Sequence, residues 1–93
     1  MSAALAWTIV YSEPAKKSLA KMDVQLRSRL TEFLRERVAK LENPRSLGQA
    51  LQGSKFGEYW RYRVGDYRII CEIQDKKLIV LVLRVGHRRE VYR

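Results

Sequence analysis

The sequence predicts an α+β domain: a mainly antiparallel sheet in the order β-α-α-β-β-β, with two N-terminal helices packed on one face. Three observations predict it. Apolar residues between Asp23 and Leu41 recur at spacings of three and four, the period of an amphipathic helix. From Glu58 onward the period changes to two, that of a strand with one covered face. The chain has 93 residues, 46% of them hydrophobic and 31% charged, which suffices for one core and leaves no room for a second. Residues 1–93 are therefore expected to form a single domain.

The first element is a β-rich run from Leu5 to Tyr11, made mostly of branched and aromatic residues. Ser12-Glu13-Pro14 then starts a short helix reaching about Lys21: Ser12 can cap it, Glu13 favours the positive end of its dipole, and Pro14 fits its first turn. Asp23 can cap a second helix, whose stripe is Leu26, Leu30, Phe33, Leu34, Val38 and Leu41. Asn43-Pro44 ends that helix, because proline disfavours helical geometry in the residue before it. Residues 45 to 57 read as loop, with Gly48, Gly53 and Gly57, and with Leu47 and Leu51 as anchors. Tyr59 to Val64 is a strand, Gly65-Asp66 a two-residue turn, and Tyr67 to Ile73 the returning strand. After a turn at Asp75-Lys76-Lys77, Leu78 to Val85 holds seven aliphatic residues in eight, as expected for a strand covered on both faces.

Nineteen Lys+Arg against ten Asp+Glu give a net charge of +9, about one excess positive charge per ten residues. Solubility alone does not require so much, and a polyanionic surface or a strongly acidic protein is the expected partner. The single Cys71 excludes an internal disulfide framework and a cysteine-rich zinc site, and the single His87 leaves too few ligands for most metal sites. No metal and no cofactor are expected. No apolar run approaches the roughly 20 residues that span a bilayer. The apolar stretch Ala3–Val10 lacks a basic leader, so a cytoplasmic protein without a membrane partner is expected.

The hairpin carries the most information. With Gly65-Asp66 as its loop, Val64 pairs with Tyr67, Arg63 with Arg68 and Arg61 with Ile70, and directly paired residues share a face. Trp60, Tyr62, Val64, Tyr67, Ile69, Cys71 and Ile73 then face the helices. Tyr59, Arg61, Arg63, Arg68, Ile70 and Glu72 face water or a ligand. Arg63 opposite Arg68 is destabilising by a few tenths of a kcal/mol to about 1 kcal/mol. Either Glu72, Glu58 or water relieves the pair, or the guanidinium cluster is built for an anion, most naturally a phosphate held by bidentate donors.

The last ten residues add Arg84, His87, Arg88, Arg89, Tyr92 and Arg93 to this basic set. Gly86 permits a bend, and Val91-Tyr92 suggests that the chain packs back on the domain. If the Asp75–Lys77 loop is three residues long, Gln74 pairs with Leu78 and Arg84 falls opposite Arg68; a two-residue loop reverses that parity. Arg63, Arg84, Arg89 and Lys55 are the expected phosphate contacts.

A phosphodiester in RNA carries its own nucleophile, the 2′-hydroxyl. A protein need only orient it, take its proton, neutralise the phosphorane charge and protonate the leaving oxygen. Arginines suit the charge-neutralising step, and His87 supplies an imidazole, the side chain most often used for proton transfer near neutral pH. No second histidine is present, and nothing fixes Glu72 as a base, so self-sufficient cleavage by a histidine pair is not supported.

The element order, the hairpin Tyr59-Trp60-Arg61-Tyr62-Arg63-Val64-Gly65-Asp66-Tyr67-Arg68 and the ending Val85-Gly86-His87-Arg88-Arg89-Glu90-Val91-Tyr92 together resemble the RelE/ParE superfamily of bacterial toxins over essentially the whole chain. The resemblance implies a RelE-like fold and a toxin of a type II toxin–antitoxin system. It further implies a ribosome-dependent endoribonuclease that cuts messenger RNA in the A site by 2′-hydroxyl attack, leaving a 2′,3′-cyclic phosphate. The implied catalytic set is Arg61, Arg68, His87, Arg88 and Tyr92. Arg61 stands where the family's hairpin carries a lysine, Arg68 and Arg88 match site arginines, and Tyr92 matches a terminal tyrosine. His87 occupies a position often held by lysine. Arginine is a poor proton acceptor, with a pKa above about 12, and the segment between Arg88 and Tyr92 is shorter than in the best-known site. The implied partners are the ribosome, messenger RNA and a RelB-like antitoxin with an acidic or amphipathic segment. The competing reading is a ParE-like toxin that inhibits DNA gyrase without nuclease chemistry, and a third is a basic nucleic-acid-binding domain with no toxic activity.

Overall fold

The structure is a computed structural model that describes residues 6–53 and 57–87. Among the described residues, five strands form one sheet: β1 (Thr8–Tyr11), β2 (Gln49–Ala50), β3 (Tyr59–Val64), β4 (Tyr67–Gln74) and β5 (Ile79–His87), in the order β1-β5-β4-β3-β2. Two helices, α1 (Glu13–Ala20) and α2 (Val24–Glu32), lie between β1 and β2 in sequence and bury their apolar side chains in the core on one face of the sheet. This is the expected α+β architecture. Three of the four strand pairings are antiparallel, and β1 runs parallel to β5.

The helix starts obey local chemistry. Ser12 Oγ accepts from Ala15 N at 3.2 Å and Asp23 Oδ1 from Gln25 N at 2.8 Å, so each cap satisfies an orphan donor of the first turn. The second helix does not stay α-helical to Leu41 as the stripe suggests. From Phe33 to Val38 it widens into a π-helical turn, with Ala39 N donating to Leu34 O at 2.8 Å. Trp7 anchors β1 beneath its end, through Trp7 N to Ala39 O at 2.9 Å and Trp7 Nε1 to Glu42 O at 3.2 Å.

Leu30, Leu34 and Val38 from the second helix, with Ala15 and Leu19 from α1, pack on Tyr62, Ile69, Cys71, Ile73, Val80, Val82 and Val85 of the sheet. Tyr62 is almost fully buried, and its hydroxyl donates to Pro44 O at 2.7 Å, which meets the requirement that a buried polar group find a partner. Burial raises the pKa of that phenol and of the Cys71 thiol, so neither is ionised near neutral pH.

Several boundaries differ from the sequence reading. The first strand starts at Thr8. The segment read as loop contains a 3₁₀ turn at Pro44–Ser46 and the short edge strand β2. The turn after β4 is a 3₁₀ turn, Asp75–Lys77, closed by Leu78 with φ +54°, so Gln74 pairs with Ile79 and not with Leu78. The last strand is fully covered on one face and partly on the other: Val80, Val82 and Val85 are buried, whereas Ile79, Leu81 and Leu83 are half-buried. Among the described residues, no helix is long and apolar enough to cross a membrane.

Candidate functional site

The β3–β4 hairpin has the register that its two-residue turn dictates: Val64 opposite Tyr67, Arg63 opposite Arg68, Arg61 opposite Ile70 and Tyr59 opposite Glu72. Gly65 takes φ +60° at the first central position, the signature of a type II′ turn. The helices cover the Tyr62, Ile69 and Cys71 face, which leaves the arginine face open.

The third strand joins this face through a bulge. Cys71 pairs with Val82 but Ile70 pairs with Arg84, so Leu83 is an extra residue in β5. Without the bulge Val82 and Arg84, two residues apart, would share a face. With it, Val82 enters the core and Arg84 projects beside the hairpin arginines. Ser12 stabilises the bulge, since its Oγ donates to Leu83 O at 2.9 Å, beside a ladder bond from Ser12 N to Val82 O. Arg84 therefore lies opposite Ile70, and Gly86, with no side chain to add, lies opposite Arg68. This corrects the expectation that Arg84 stands opposite Arg68; the four-residue connection and the bulge together set its row.

Two rows result, Arg61–Ile70–Arg84 and Arg63–Arg68–Gly86. Arg61 and Arg68 are half-buried, while Arg63 and Arg84 are exposed. Ile70 is only 7% exposed although it belongs to the open face, and it is flanked by Arg61 and Arg84, whose aliphatic stems can cover it while the charged heads reach water. Arg68 Nη1 leans back toward the turn, 3.4 Å from Gly65 O and 3.3 Å from Tyr67 O. Among the described residues, no ion pair involves Arg63, Arg68 or Arg84. Lys16 and Arg35 in the helices, and Lys40 in the turn that follows, by contrast, sit on nearby helix carboxylates. Glu72 shares the open face one row below, where it accepts from Gln74 Nε2 at 3.0 Å.

An open depression of about 340 Å³ lies among Gly48, Gln49, Arg61, Arg63 and Arg68. Three guanidiniums line it, and with no carboxylate among the described residues of its wall it suits an anion carrying several acceptor oxygens. Its wall, β2, pairs with β3, Gln49 opposite Arg61 and Ala50 opposite Trp60, and further hydrogen bonds add to the ladder. Trp60 Nε1 donates to Leu47 O at 2.6 Å, Leu51 N to Tyr59 O at 3.0 Å, and Arg61 Nη2 to Gln49 Oε1. Gly48 permits this approach at φ +80°: a Cβ there would fall 2.3 Å from Arg61 O, so only glycine fits. Farther along, Arg45 clamps the same loop: its fork meets Asp75 at 2.8 and 2.9 Å and its Nε donates to Gly57 O at 2.9 Å.

His87 lies elsewhere. Register sets it opposite Tyr67, and the two rings meet edge to face at 5.7 Å, on the helix side of the sheet. It does not join the arginine depression, because the bulge that brings Arg84 to the open face turns His87 to the other. Lys55, Arg88, Arg89 and Tyr92 lie outside the described residues. Sequence reasoning did not find Gly48 and Gln49, which sit in a segment too short for periodicity. It also missed Arg29 of α2, whose Nη2 lies 3.5 Å from where a Cβ on Gly65 would be, behind the hairpin tip.

Comparison with known proteins decides the family. Residues 9–92 match the family described as ParE toxin of the type II toxin–antitoxin system parDE. The chain belongs to the RelE/ParE superfamily of type II toxins. It is 31% identical over 90 residues to the mRNA interferase toxin RelE of Escherichia coli, covering 95% of this chain and 92% of that protein. It is 28% identical over 87 residues to toxin RelG of Mycobacterium tuberculosis, covering 94% and 97%. Among solved structures, the isolated Escherichia coli RelE toxin superposes with a TM-score of 0.72 at 28% identity, covering 94% of this chain and 92% of that one. A chain of the toxin–antitoxin complex RelBE2 from Mycobacterium tuberculosis superposes with a TM-score of 0.77 at 23% identity, covering 97% and 100%, and this likeness speaks for the fold alone.

Proposed function

We propose that this toxin is a ribosome-dependent endoribonuclease that cleaves messenger RNA in the A site and so arrests translation. The observation that carries the reading is the open arginine face: Arg61, Arg63, Arg68 and Arg84 gathered by the hairpin register and the Leu83 bulge, with no ion pair to Arg63, Arg68 or Arg84 among the described residues. Like charges directly opposite one another weaken a sheet, and a phosphate between them turns that cost into binding. The printed name of the Escherichia coli relative, mRNA interferase toxin RelE, supports the same chemistry.

In this reading the 2′-hydroxyl attacks the adjacent phosphorus and the P–O5′ bond breaks, leaving a 2′,3′-cyclic phosphate and a 5′-hydroxyl. Arg68 and Arg63 hold the non-bridging oxygens and neutralise the charge that grows on them, while Arg61 and Arg84 steer the flanking backbone. Arg88 and Tyr92 complete the set by resemblance, with Lys55 and Arg89 as further backbone contacts. His87, on the helix side, is not assigned the base. With little proton-transfer equipment on the described face, the ribosome supplies substrate orientation. The domain spans residues 1–93, and its partner in the resting cell is a RelB-like antitoxin whose acidic or amphipathic segment folds on binding.

The test is message incubated with purified protein, with and without translating ribosomes. Cleavage confined to the tube with ribosomes is expected, and equal cutting in both tubes refutes ribosome dependence. Co-expression with the neighbouring reading frame is expected to yield a tight complex; high yields of toxin alone without growth arrest count against both partner and toxicity. The matched family description favours one alternative, a ParE-like toxin acting on DNA gyrase by binding alone.

A further inference from the structure

We propose that Gln49, on the edge strand β2, is part of the anion site: it fixes the Arg61 guanidinium and presents its own amide N–H groups to the RNA phosphate. The inference rests on the reading of the arginine face as an RNA site, and it assigns a role to a segment that carries no basic residue and no family motif quoted above.

The chemistry leaves little choice about which way the amide points. A guanidinium only donates, so the atom of Gln49 that meets Arg61 Nη2 is the carbonyl oxygen Oε1. With that oxygen taken, the amide has mainly its NH₂ group, with two donors, to offer a ligand in the depression that Gln49 lines. Among the described residues, the side chains that line the depression are three guanidinium forks, those of Arg61, Arg63 and Arg68, and the Gln49 amide. Because the amide is neutral, it orients Arg61 without cancelling its charge, which a glutamate at the same place would do.

The local backbone is built to bring Gln49 there. Gly48 accepts a positive φ and a close approach to Arg61 O that no side chain tolerates, Trp60 holds Leu47 O, and the cross-strand register sets Gln49 directly opposite Arg61. Three devices converge on a two-residue strand whose own side chains are exposed; Leu47 and Trp60 beside it pack on the core, whereas Gln49 and Ala50 do not.

The test is binding of a short fluorescein-labelled single-stranded RNA by fluorescence anisotropy across a salt series, for the wild type, Gln49→Ala, Gln49→Glu and Arg68→Ala. Each phosphate contact contributes a slope of about −0.7 in log affinity against log salt on a single strand. Gln49→Ala leaves the Arg61 charge in place but removes this contact and the Gln49 donors, so affinity falls about threefold with the slope unchanged. Gln49→Glu pairs with Arg61 and repels phosphate, so affinity falls about tenfold or more and the slope becomes shallower by about 0.7. Thermal midpoints of both variants stay at the wild-type value, since the side chain is exposed. Wild-type binding by both variants, or equal losses with unchanged slopes and lowered midpoints, would make Gln49 a simple tether and overturn the proposal. If the wild type and Arg68→Ala bind the RNA equally, the arginine face is not the RNA site, and the Gln49 proposal falls with that reading.

Discussion

Arg68→Ala separates folding from function more sharply than any other single change. Arg68 stands directly opposite Arg63, where Cβ atoms of paired residues are about 5 Å apart. With the charged heads splayed to about 7 Å in water, the repulsion is about 0.6 kcal/mol. Removing Arg68 relieves it. The substitution also forfeits the burial of part of the arginine stem and two long contacts to Gly65 O and Tyr67 O, at 3.4 and 3.3 Å, which are at the weak limit of hydrogen bonding. These losses are a few tenths of a kcal/mol and nearly offset the relief, so the thermal midpoint is expected to move by no more than about 3 °C in either direction. Activity is expected to respond differently. If Arg68 holds the scissile phosphate, the loss resembles that of an oxyanion donor, about 2.7–4 kcal/mol, or about 10²–10³ in rate. Arg68→Lys is also expected to be impaired, because an ammonium does not reproduce the bidentate fork. The assay is single-turnover cleavage on programmed ribosomes beside a melting curve, with antitoxin binding as a control. A variant that melts well below the wild type, or that still arrests growth at equal expression, would show that Arg68 supports the scaffold and that the site lies elsewhere.

Three other predictions follow from the packing. Gly48→Ala forces a Cβ to within 2.3 Å of Arg61 O at φ +80°, so β2 detaches; a loss of about 1–3 kcal/mol is expected by chemical denaturation, and an unchanged midpoint would mean that β2 is not docked in solution. Tyr62→Phe removes the donor to Pro44 O in a site closed to water and is expected to cost about 1–3 kcal/mol, with a cost near zero refuting the buried hydrogen bond. The Arg45 fork holds the Asp75 carboxyl below its ordinary pKa, so its contribution is complete above about pH 4 and fades as pH falls through the lowered folded value. Because Asp75 is largely exposed the effect is at most about 1 kcal/mol, and Asp75→Asn is expected to flatten this acid limb of the stability profile.

Much of this molecule was legible because its signals are local. Gly65-Asp66 between two alternating runs determines the hairpin register, and from it the gathering of Arg61, Arg63 and Arg68 on one face. Ser12 and Asp23 mark helix starts through hydrogen bonds made within a few residues. The features that stayed hidden depend on tertiary context. Leu83 is one aliphatic residue among many, and nothing in Leu81-Val82-Leu83 distinguishes a bulge; its carbonyl is met by the hydroxyl of Ser12, 71 residues earlier. Leu78 takes a left-handed conformation without being glycine or asparagine, so the length of the turn after β4 could not be read from composition. These two shifts together decide the row of Arg84 and the face of His87, which is why the arginine cluster was predictable and the side of the sheet carrying the histidine was not. Gln49 was invisible for another reason: a two-residue strand has no period.

The central claim is that the open arginine face cuts messenger RNA, and the most direct measurement is primer extension on a translated message in a cell-free system, run beside a gyrase supercoiling assay with the same protein. The account predicts new 5′ ends in the message at codons held in the A site, lost in Arg68→Ala, with supercoiling unaffected. An intact message together with blocked supercoiling would contradict it and make this chain a gyrase-directed toxin.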